Sequence, residues 1–262
     1  MTDWWDKQIS RADQLIAHAK GSEELLIFYS RLLREQKEIY EFLRSRKDWL
    51  PSGELQADLG VITEALPGFL KAVASYGPEP LAVEATELLT ANTGITDELF
   101  LNYWRRPSDT EFFAKAFLQP YGRWLKETGM TPVGRALIDN ERSCPFCGGN
   151  PQVSFLQNKE TSAESGNRDL ICATCLSSWE FRRVVCANCG EERPAQLGYF
   201  HSPEFEHVRV EACDTCKHYI KGVDLTRSGF ASPLIDEIAA APLDLWAREH
   251  GYTKIELNLV GV

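Results

Sequence analysis

The stretch Cys144-Pro-Phe-Cys147 has a spacing that recurs at Cys172-Ala-Thr-Cys175, Cys186-Ala-Asn-Cys189 and Cys213-Asp-Thr-Cys216. All eight cysteines of the chain belong to these four pairs. Two residues between paired cysteines allow both sulfurs of a tight turn to bind one metal ion, and a second such turn completes a tetrahedral shell of four thiolates. The cysteine spacing therefore predicts two four-cysteine metal sites.

The four pairs form an internal repeat. Twenty-four residues separate Cys147 from Cys172, and 23 separate Cys189 from Cys213. The offset between the two copies is 42 residues at Cys144 and 41 at Cys172. This regularity predicts two tandem modules with one metal site each. The alternative is a crossed arrangement, in which the first pair shares a metal with the last, and it requires longer loops.

The ligands alone leave the metal open. Four thiolates suit zinc and a single iron about equally, and iron would make a site capable of one-electron transfer. Dithiol redox chemistry is a third interpretation, but it is typical of a helix start within a βαβ pattern, and no such pattern surrounds these pairs. Because each module is too small to bury much apolar surface, its metal should supply much of its folding free energy.

Length and charge narrow the class of protein. The chain has 262 residues, a length that predicts two domains. Its net charge of −10 predicts no general attraction for nucleic acid or anionic lipid. We find neither a secretory signal at the N-terminus nor an apolar segment long enough for a membrane span. These features predict a cytoplasmic protein, and in a reducing compartment metal ligation explains the cysteines better than disulfides do.

Residues 1–140 are predicted to form a helical domain. Apolar residues recur at helical spacing, Ser22 is expected to cap the clearest helix, and Ser108 with Glu111 matches a capping box. The aromatic stripe at 112–124 is interpreted as core, with a partner groove as the alternative. We find no catalytic motif in this half, and His18 is interpreted as a surface or capping residue.

The rest of the chain is predicted to contain the modules 141–183 and 184–224 and a C-terminal helix and tail, 225–262. Strands are expected at 153–155, 179–181 and 208–210, and the last helix is expected to begin at Ser232-Pro233 and to pack onto one of the domains. The fold class is therefore α+β. With four cysteines available in the second module, His201, His207 and His218 are interpreted as surface residues.

These segments together resemble the formate dehydrogenase accessory protein family, the FdhE type. A helical half before two rubredoxin-like modules fits the architecture of that family, and Lys217 stands where its pattern has glycine after the last pair. The residues that carry the resemblance are Cys144-Pro-Phe-Cys-Gly-Gly-Asn-Pro151, the run from Cys175 to Cys189, Glu211 to Cys216 with Tyr219-Ile-Lys221, and the tail residues Asp236, Leu243, Asp244, Trp246, Ala247, Glu249, Gly251 and Tyr252.

The resemblance implies a cytoplasmic accessory or maturation factor that is needed for active respiratory formate dehydrogenase and is not an enzyme. Its partner would be the molybdenum- or tungsten-containing catalytic subunit, and its cofactors would be two metal ions per chain, with iron favoured and zinc as the alternative. Carried over residue by residue, the ligands would be Cys144, Cys147, Cys172 and Cys175 for one metal and Cys186, Cys189, Cys213 and Cys216 for the other.

Two other functions fit parts of the sequence. A rubredoxin-like one-electron transfer protein would use iron in the same thiolate cages. A zinc-ribbon nucleic-acid-binding module would use zinc there, although the acidic charge of the chain opposes it.

Overall fold

In a computed structural model, which describes residues 3–19, 21–133, 141–158 and 167–262, a bundle of helices precedes one mixed β-sheet. This confirms the predicted helical half and the α+β class. No helix in the described ranges combines the length and the apolar character that crossing a bilayer requires. The helices of the bundle are α1 (Trp4–Ile16), α2 (Glu23–Ser45), α3 (Leu55–Ile62), α4 (Leu66–Tyr76), α5 (Glu79–Thr90), α6 (Thr93–Arg105) and α7 (Phe112–Thr128).

The aromatic stripe of α7 fills the core of the bundle. Phe113, Phe117 and Tyr121 are each 1% exposed. The ring centroid of Phe117 lies 5.1 Å from that of Phe100, in a stacked arrangement. Since aromatic side chains at helical spacing bury large apolar areas, this face stabilises the bundle. The interpretation of these three residues as core is confirmed. The alternative, that they line a groove for a partner, is wrong.

Two predicted helix caps are wrong because the serines have tertiary or local partners. Ser22 precedes α2, but its hydroxyl donates to the carbonyl of Ala239, 2.8 Å away. α7 begins at Phe112, and the hydroxyl of Ser108 instead accepts the backbone N–H of Thr110 at 3.2 Å. Short polar side chains of this kind bind whichever backbone group lies nearest, and a capping pattern does not identify that group.

The two cysteine modules share one sheet. Its strand order is β3-β2-β1-β6-β5-β4, with β7 beside β6. Neighbouring strands within each module are antiparallel, whereas β1 and β6 are parallel and join the modules. The division of the chain at 140, 183 and 224 stays a prediction. The strands are β1 (Pro151–Gln157), β2 (Asn167–Cys172), β3 (Ser178–Phe181), β4 (Leu197–His201), β5 (Val208–Cys213), β6 (His218–Asp224) and β7 (Thr253–Lys254).

The predicted C-terminal helical segment is confirmed and is divided into α8 (Pro233–Ala239) and α9 (Ala241–Glu249). α8 contacts β1 and β6 on one side and α1 and α2 on the other, while α9 contacts β5. The segment therefore packs onto both halves of the molecule, not onto one of them as the sequence suggested.

The C-terminal tail also links the two halves. The Glu256 carboxylate accepts hydrogen bonds from the Lys115 ammonium of α7 at 2.8 Å and from the Asn150 side chain of the first module at 3.2 Å. Glu256 and Lys115 are both buried, so this ion pair is shielded from solvent. The tail thus fixes the first cysteine module against α7.

Candidate metal centres

The first module gathers four sulfur atoms into one cluster. The Sγ atoms of Cys144, Cys147, Cys172 and Cys175 all lie within 4.8 Å of one another. The distance is 3.4 Å between Cys147 and Cys172 and 3.7 Å between Cys144 and Cys175. A tetrahedral metal with bonds of about 2.3 Å places its sulfurs about 3.8 Å apart, whereas a disulfide bond is about 2.05 Å long. The spacing therefore fits a metal shell.

The second module repeats this geometry. Its sulfurs lie within 4.8 Å of one another, and Cys186–Cys216 and Cys189–Cys213 are each separated by 3.7 Å. The cysteines are grouped within each module, as the tandem interpretation predicts and the crossed one does not. The metal-binding character of the chain rests on these two clusters. The role of each cysteine as a ligand stays a prediction.

One turn shape brings the sulfurs together at all four pairs. In each, the residue four positions after the first cysteine donates its N–H to the carbonyl of that cysteine and has a positive φ, which favours glycine. Lys217 adopts the turn with φ 57, so the lysine in the place of the expected glycine changes no geometry. The four donors are Gly148 at 2.7 Å, Leu176 at 3.1 Å, Gly190 at 3.0 Å and Lys217 at 2.8 Å.

Backbone N–H groups also point at the sulfurs. Thr174 donates to the Sγ of Cys172 at 3.3 Å, and Asn188 donates to the Sγ of Cys186 at 3.4 Å. A hydrogen bond to a thiolate stabilises its negative charge. Both sites are therefore built to hold ionised sulfur.

The pKa values of the thiols in the first cluster indicate how a bound cation would change their protonation. Burial raises the pKa of the Cys172 and Cys175 thiols, whereas hydrogen bonds from Cys147, Cys172 and Cys175 hold the pKa of Cys144 well below its usual range. Without metal, the cluster therefore favours negative charge on Cys144 and protonated thiols at Cys172 and Cys175. A bound divalent cation would displace the remaining thiol protons and offset part of the negative charge of the four thiolates. Soft thiolates select zinc or iron for this purpose.

The second cluster has a different electrostatic environment. Although burial raises the pKa of the Cys216 thiol, hydrogen bonds from the Asn188 side chain and the His218 backbone N–H lower it to about 7. Cys189 and Cys216 are half-buried, while all four cysteines of the first cluster are buried. The two sites share ligand type and turn geometry but differ in exposure.

The three histidines of the second module are placed outside the sulfur cluster. His201 is exposed, as predicted. His218 is half-buried, and the Nδ1 of its ring lies 2.7 Å from the carbonyl oxygen of Cys216, so the ring contacts the backbone of the turn. His207 is half-buried with its Nε2 2.7 Å from the Asp236 carboxylate, so its interpretation as an ordinary surface residue is wrong.

Sequence reasoning missed the residues that enclose the first cluster. The Gln119 side chain of α7 donates to the Ala173 carbonyl at 2.8 Å. A Cβ added to Gly122 would lie 3.1 Å from the Cα of Cys175, and one added to Gly149 would lie 2.7 Å from the Sγ of Cys172. Glycine inside a helix and two successive glycines after a cysteine pair are the sequence signals that could have identified these positions.

Replacing Gly149 by alanine is expected to disrupt the first metal site. The new methyl group would overlap the Cys172 sulfur at 2.7 Å, so the sulfur must move away from its position in the cluster. We expect a loss of about 1–3 kcal/mol in the free energy of unfolding and weaker retention of one metal. Urea unfolding with metal analysis measures both effects. The matched control is Gly60→Ala, because a Cβ at that helical glycine meets nothing within 4 Å; equal metal loss in the two variants would contradict the overlap.

The cysteine modules and the tail match the domain models of one protein family. The central domain of FdhE matches residues 143–183, and the FdhE C-terminal domain matches residues 184–260. Residues 143–260 are thus similar to the FdhE family across both cysteine modules and the tail. This confirms the resemblance stated from the sequence.

Individual FdhE proteins extend the comparison. An FdhE homolog from Aquifex aeolicus is 42% identical over 154 residues, which are 57% of this chain and 51% of that protein. An FdhE homolog from Haemophilus influenzae is 29% identical over 153 residues, 58% of this chain and 49% of that protein. The chain spans about half the length of the curated FdhE relatives that it matches.

A crystal structure of the FdhE protein from Pseudomonas aeruginosa has the same fold. The TM-score is 0.69 over 99% of this chain and 96% of that chain, at 23% identity. The likeness includes the helical half, which lies outside the two matched FdhE domains. The fold of the helical half is thus shared with FdhE.

Proposed function

We propose that this chain is an accessory factor in the maturation of respiratory formate dehydrogenase and that its eight cysteines hold two metal ions, one in each module. The observation that carries the proposal is the combination of FdhE central and C-terminal domains with two complete four-sulfur clusters of tetrahedral size. Iron is the favoured metal by family resemblance, and zinc is the alternative.

The residues of the chain have distinct parts in this function. The eight cysteines bind the metals, and the four turns with their N–H donors orient the sulfurs. The parallel pairing of β1 with β6, where Val153 lies opposite Lys221, sets the two modules side by side. A bound metal would crosslink the two turns of its module and, if it is iron, could also accept or donate one electron.

The proposed partner is the catalytic subunit of formate dehydrogenase, met in the cytoplasm. The chain would hold this subunit or check its redox state, and would catalyse no reaction of its own. Neither nucleic acid nor membrane is part of the proposed function, because a net charge of −10 repels both phosphate backbones and anionic lipid.

A pull-down from cells that express both proteins tests the partner. We expect the tagged chain to enrich the catalytic subunit and the double variant Cys186→Ser/Cys213→Ser to lose most of that enrichment. A tagged variant with a change far from the modules, Glu64→Gln, is the matched control and should behave like the wild type. Absence of enrichment both with and without oxygen would contradict the proposal.

One-electron transfer is the second candidate function, and the exposure of the second site favours it. Cys189 and Cys216 are half-buried, so an electron partner could approach that site closely. This function predicts a reversible one-electron couple in a redox titration of the iron-loaded protein. Redox-silent sites would eliminate it.

A further inference from the structure

We infer that the two four-cysteine sites have different roles. The first is a structural site that is shielded from solvent. The second is accessible to solvent, exchanges its metal with soft cations and chelators, and reacts first with thiophilic reagents. This inference rests on the proposed function, since it assumes that each module holds a metal.

The first site is closed by α7. Its cysteines are at most 2% exposed. The Gln119 side chain is hydrogen-bonded to the Ala173 carbonyl at 2.8 Å, which holds α7 against the turn between Cys172 and Cys175. At Gly122 the helix backbone approaches so closely that an added Cβ would lie 3.1 Å from both Cα and Cβ of Cys175. An entering ligand therefore has no path from this side unless α7 moves.

The first site is also closed by its own backbone and by the tail. Gly149 leaves no space for a side chain beside the Cys172 sulfur. The next residue, Asn150, accepts the N–H of Ala173 at 3.0 Å and donates its side chain to Glu256 at 3.2 Å. Access to this metal requires the tail and the turn to separate together.

The second site has the same turns but a looser cover. Glu191 takes the place that Gly149 has in the first module, and its carboxylate accepts the Thr215 hydroxyl at 2.6 Å. The Arg193 guanidinium that pairs with this carboxylate has a side chain 70% exposed. The exposed Arg193 side chain can move aside at little energetic cost, although the Glu191 side chain itself is only 9% exposed. Cys189 and Cys216 thus remain within reach of a reagent in solution.

Accessibility decides the rate of thiolate chemistry. A chelator or competing cation must touch the metal or a sulfur before the old bond breaks, and an alkylating reagent must reach the sulfur itself. At the closed site the protein must first open locally, which adds the free energy of that opening to the barrier. The second site should therefore lose metal and react first.

Metal release from the zinc-loaded protein tests the inference. We expect native mass spectrometry during an EDTA challenge to show two zinc ions, then one, then none, with release rates that differ by at least about tenfold. Peptide mapping after brief iodoacetamide treatment should find alkylation at Cys189 and Cys216 before any cysteine of the first site. In Cys216→Ser the fast phase should disappear while the slow phase remains.

A second variant tests the closure itself. Gly122→Ala should accelerate the slow phase several-fold, because the methyl group pushes α7 away from Cys175. Gly60→Ala is the matched control, since a Cβ at that helical glycine meets nothing within 4 Å, and it should change neither phase.

The experiment distinguishes failure of this inference from failure of the proposed function. A single release phase, or alkylation that begins at the first site, would overturn the division of roles while leaving two metals in place. Fewer than two zinc ions in the loaded protein would overturn the proposed two-metal function and this inference with it.

Discussion

Replacing Cys172 by serine is expected to remove one of the two metal ions and to unfold the first module. Cys172 is completely buried, and its sulfur lies 3.4 Å from that of Cys147 within the cluster. Because the metal would crosslink the two turns of the module, its loss removes much of the module's folding free energy. We expect the free energy of unfolding to fall by more than about 4 kcal/mol. Urea unfolding together with metal analysis measures this loss.

The matched variant is Cys213→Ser, which changes the equivalent position of the second module. It should also remove one metal, but it should leave the turn against α7 intact, so the helical bundle should be less affected than in Cys172→Ser. Unchanged metal content and melting temperature in Cys172→Ser would show that the assigned pairing of turns is wrong.

Replacing Asp244 by asparagine is expected to destabilise the contact between the C-terminal helices and the sheet. Asp244 and Lys221 are completely buried and form an ion pair, and the Lys254 ammonium lies 3.3 Å from the other carboxylate oxygen of Asp244. Glu237 is the second buried carboxylate of the group and pairs with Lys254. Without the charge of Asp244, two buried ammonium groups share one carboxylate.

An uncompensated buried charge costs on the order of 3–5 kcal/mol. In urea unfolding, the free energy of unfolding of Asp244→Asn should be lower than that of the wild type by this amount. The control is Glu64→Gln, whose partner Arg46 is on the surface, and it should cost no more than about 1 kcal/mol. A similar small loss in both variants would show that the buried group does not hold the C-terminal helices.

The same residue gives a pH dependence. Although burial raises the pKa of Asp244, the ammonium groups of Lys221 and Lys254 lower it below its ordinary value. Because the folded-state pKa is lower than the unfolded one, ionised Asp244 contributes stability above about pH 4 that is lost as the pH falls. Asp244→Asn should therefore lose less stability than the wild type between about pH 5 and pH 3; parallel pH profiles would contradict this.

The two four-cysteine clusters could be predicted from the sequence because the geometry of their turns is local. A Cys-X-X-Cys turn is complete within six residues, and its repetition at nearly equal distances shows which turns belong together. The helical half could be predicted equally well, since α2 and α7 have apolar residues at helical spacing over several turns. These features require no knowledge of distant partners.

The rest depends on contacts between residues far apart in the chain. The parallel pairing of β1 with β6 joins residues about 70 positions apart, and no local pattern of hydrophobicity reports such a pairing. The expected cap at Ser22 failed for the same reason, because its hydroxyl binds Ala239 at the other end of the chain. The closure of the first cluster also escaped prediction, since Gly122 has its effect through Cys175.

The most direct test of two four-thiolate metal sites is the metal content and metal environment of the protein purified without oxygen. We predict two metal ions per chain, each with a sulfur-only shell and metal–sulfur distances of about 2.3 Å by X-ray absorption. Iron would add thiolate-to-iron charge-transfer bands in the visible spectrum, and zinc would give a colourless protein. A folded protein that carries all eight cysteines as free thiols and remains metal-free after reconstitution with iron or zinc would contradict the account.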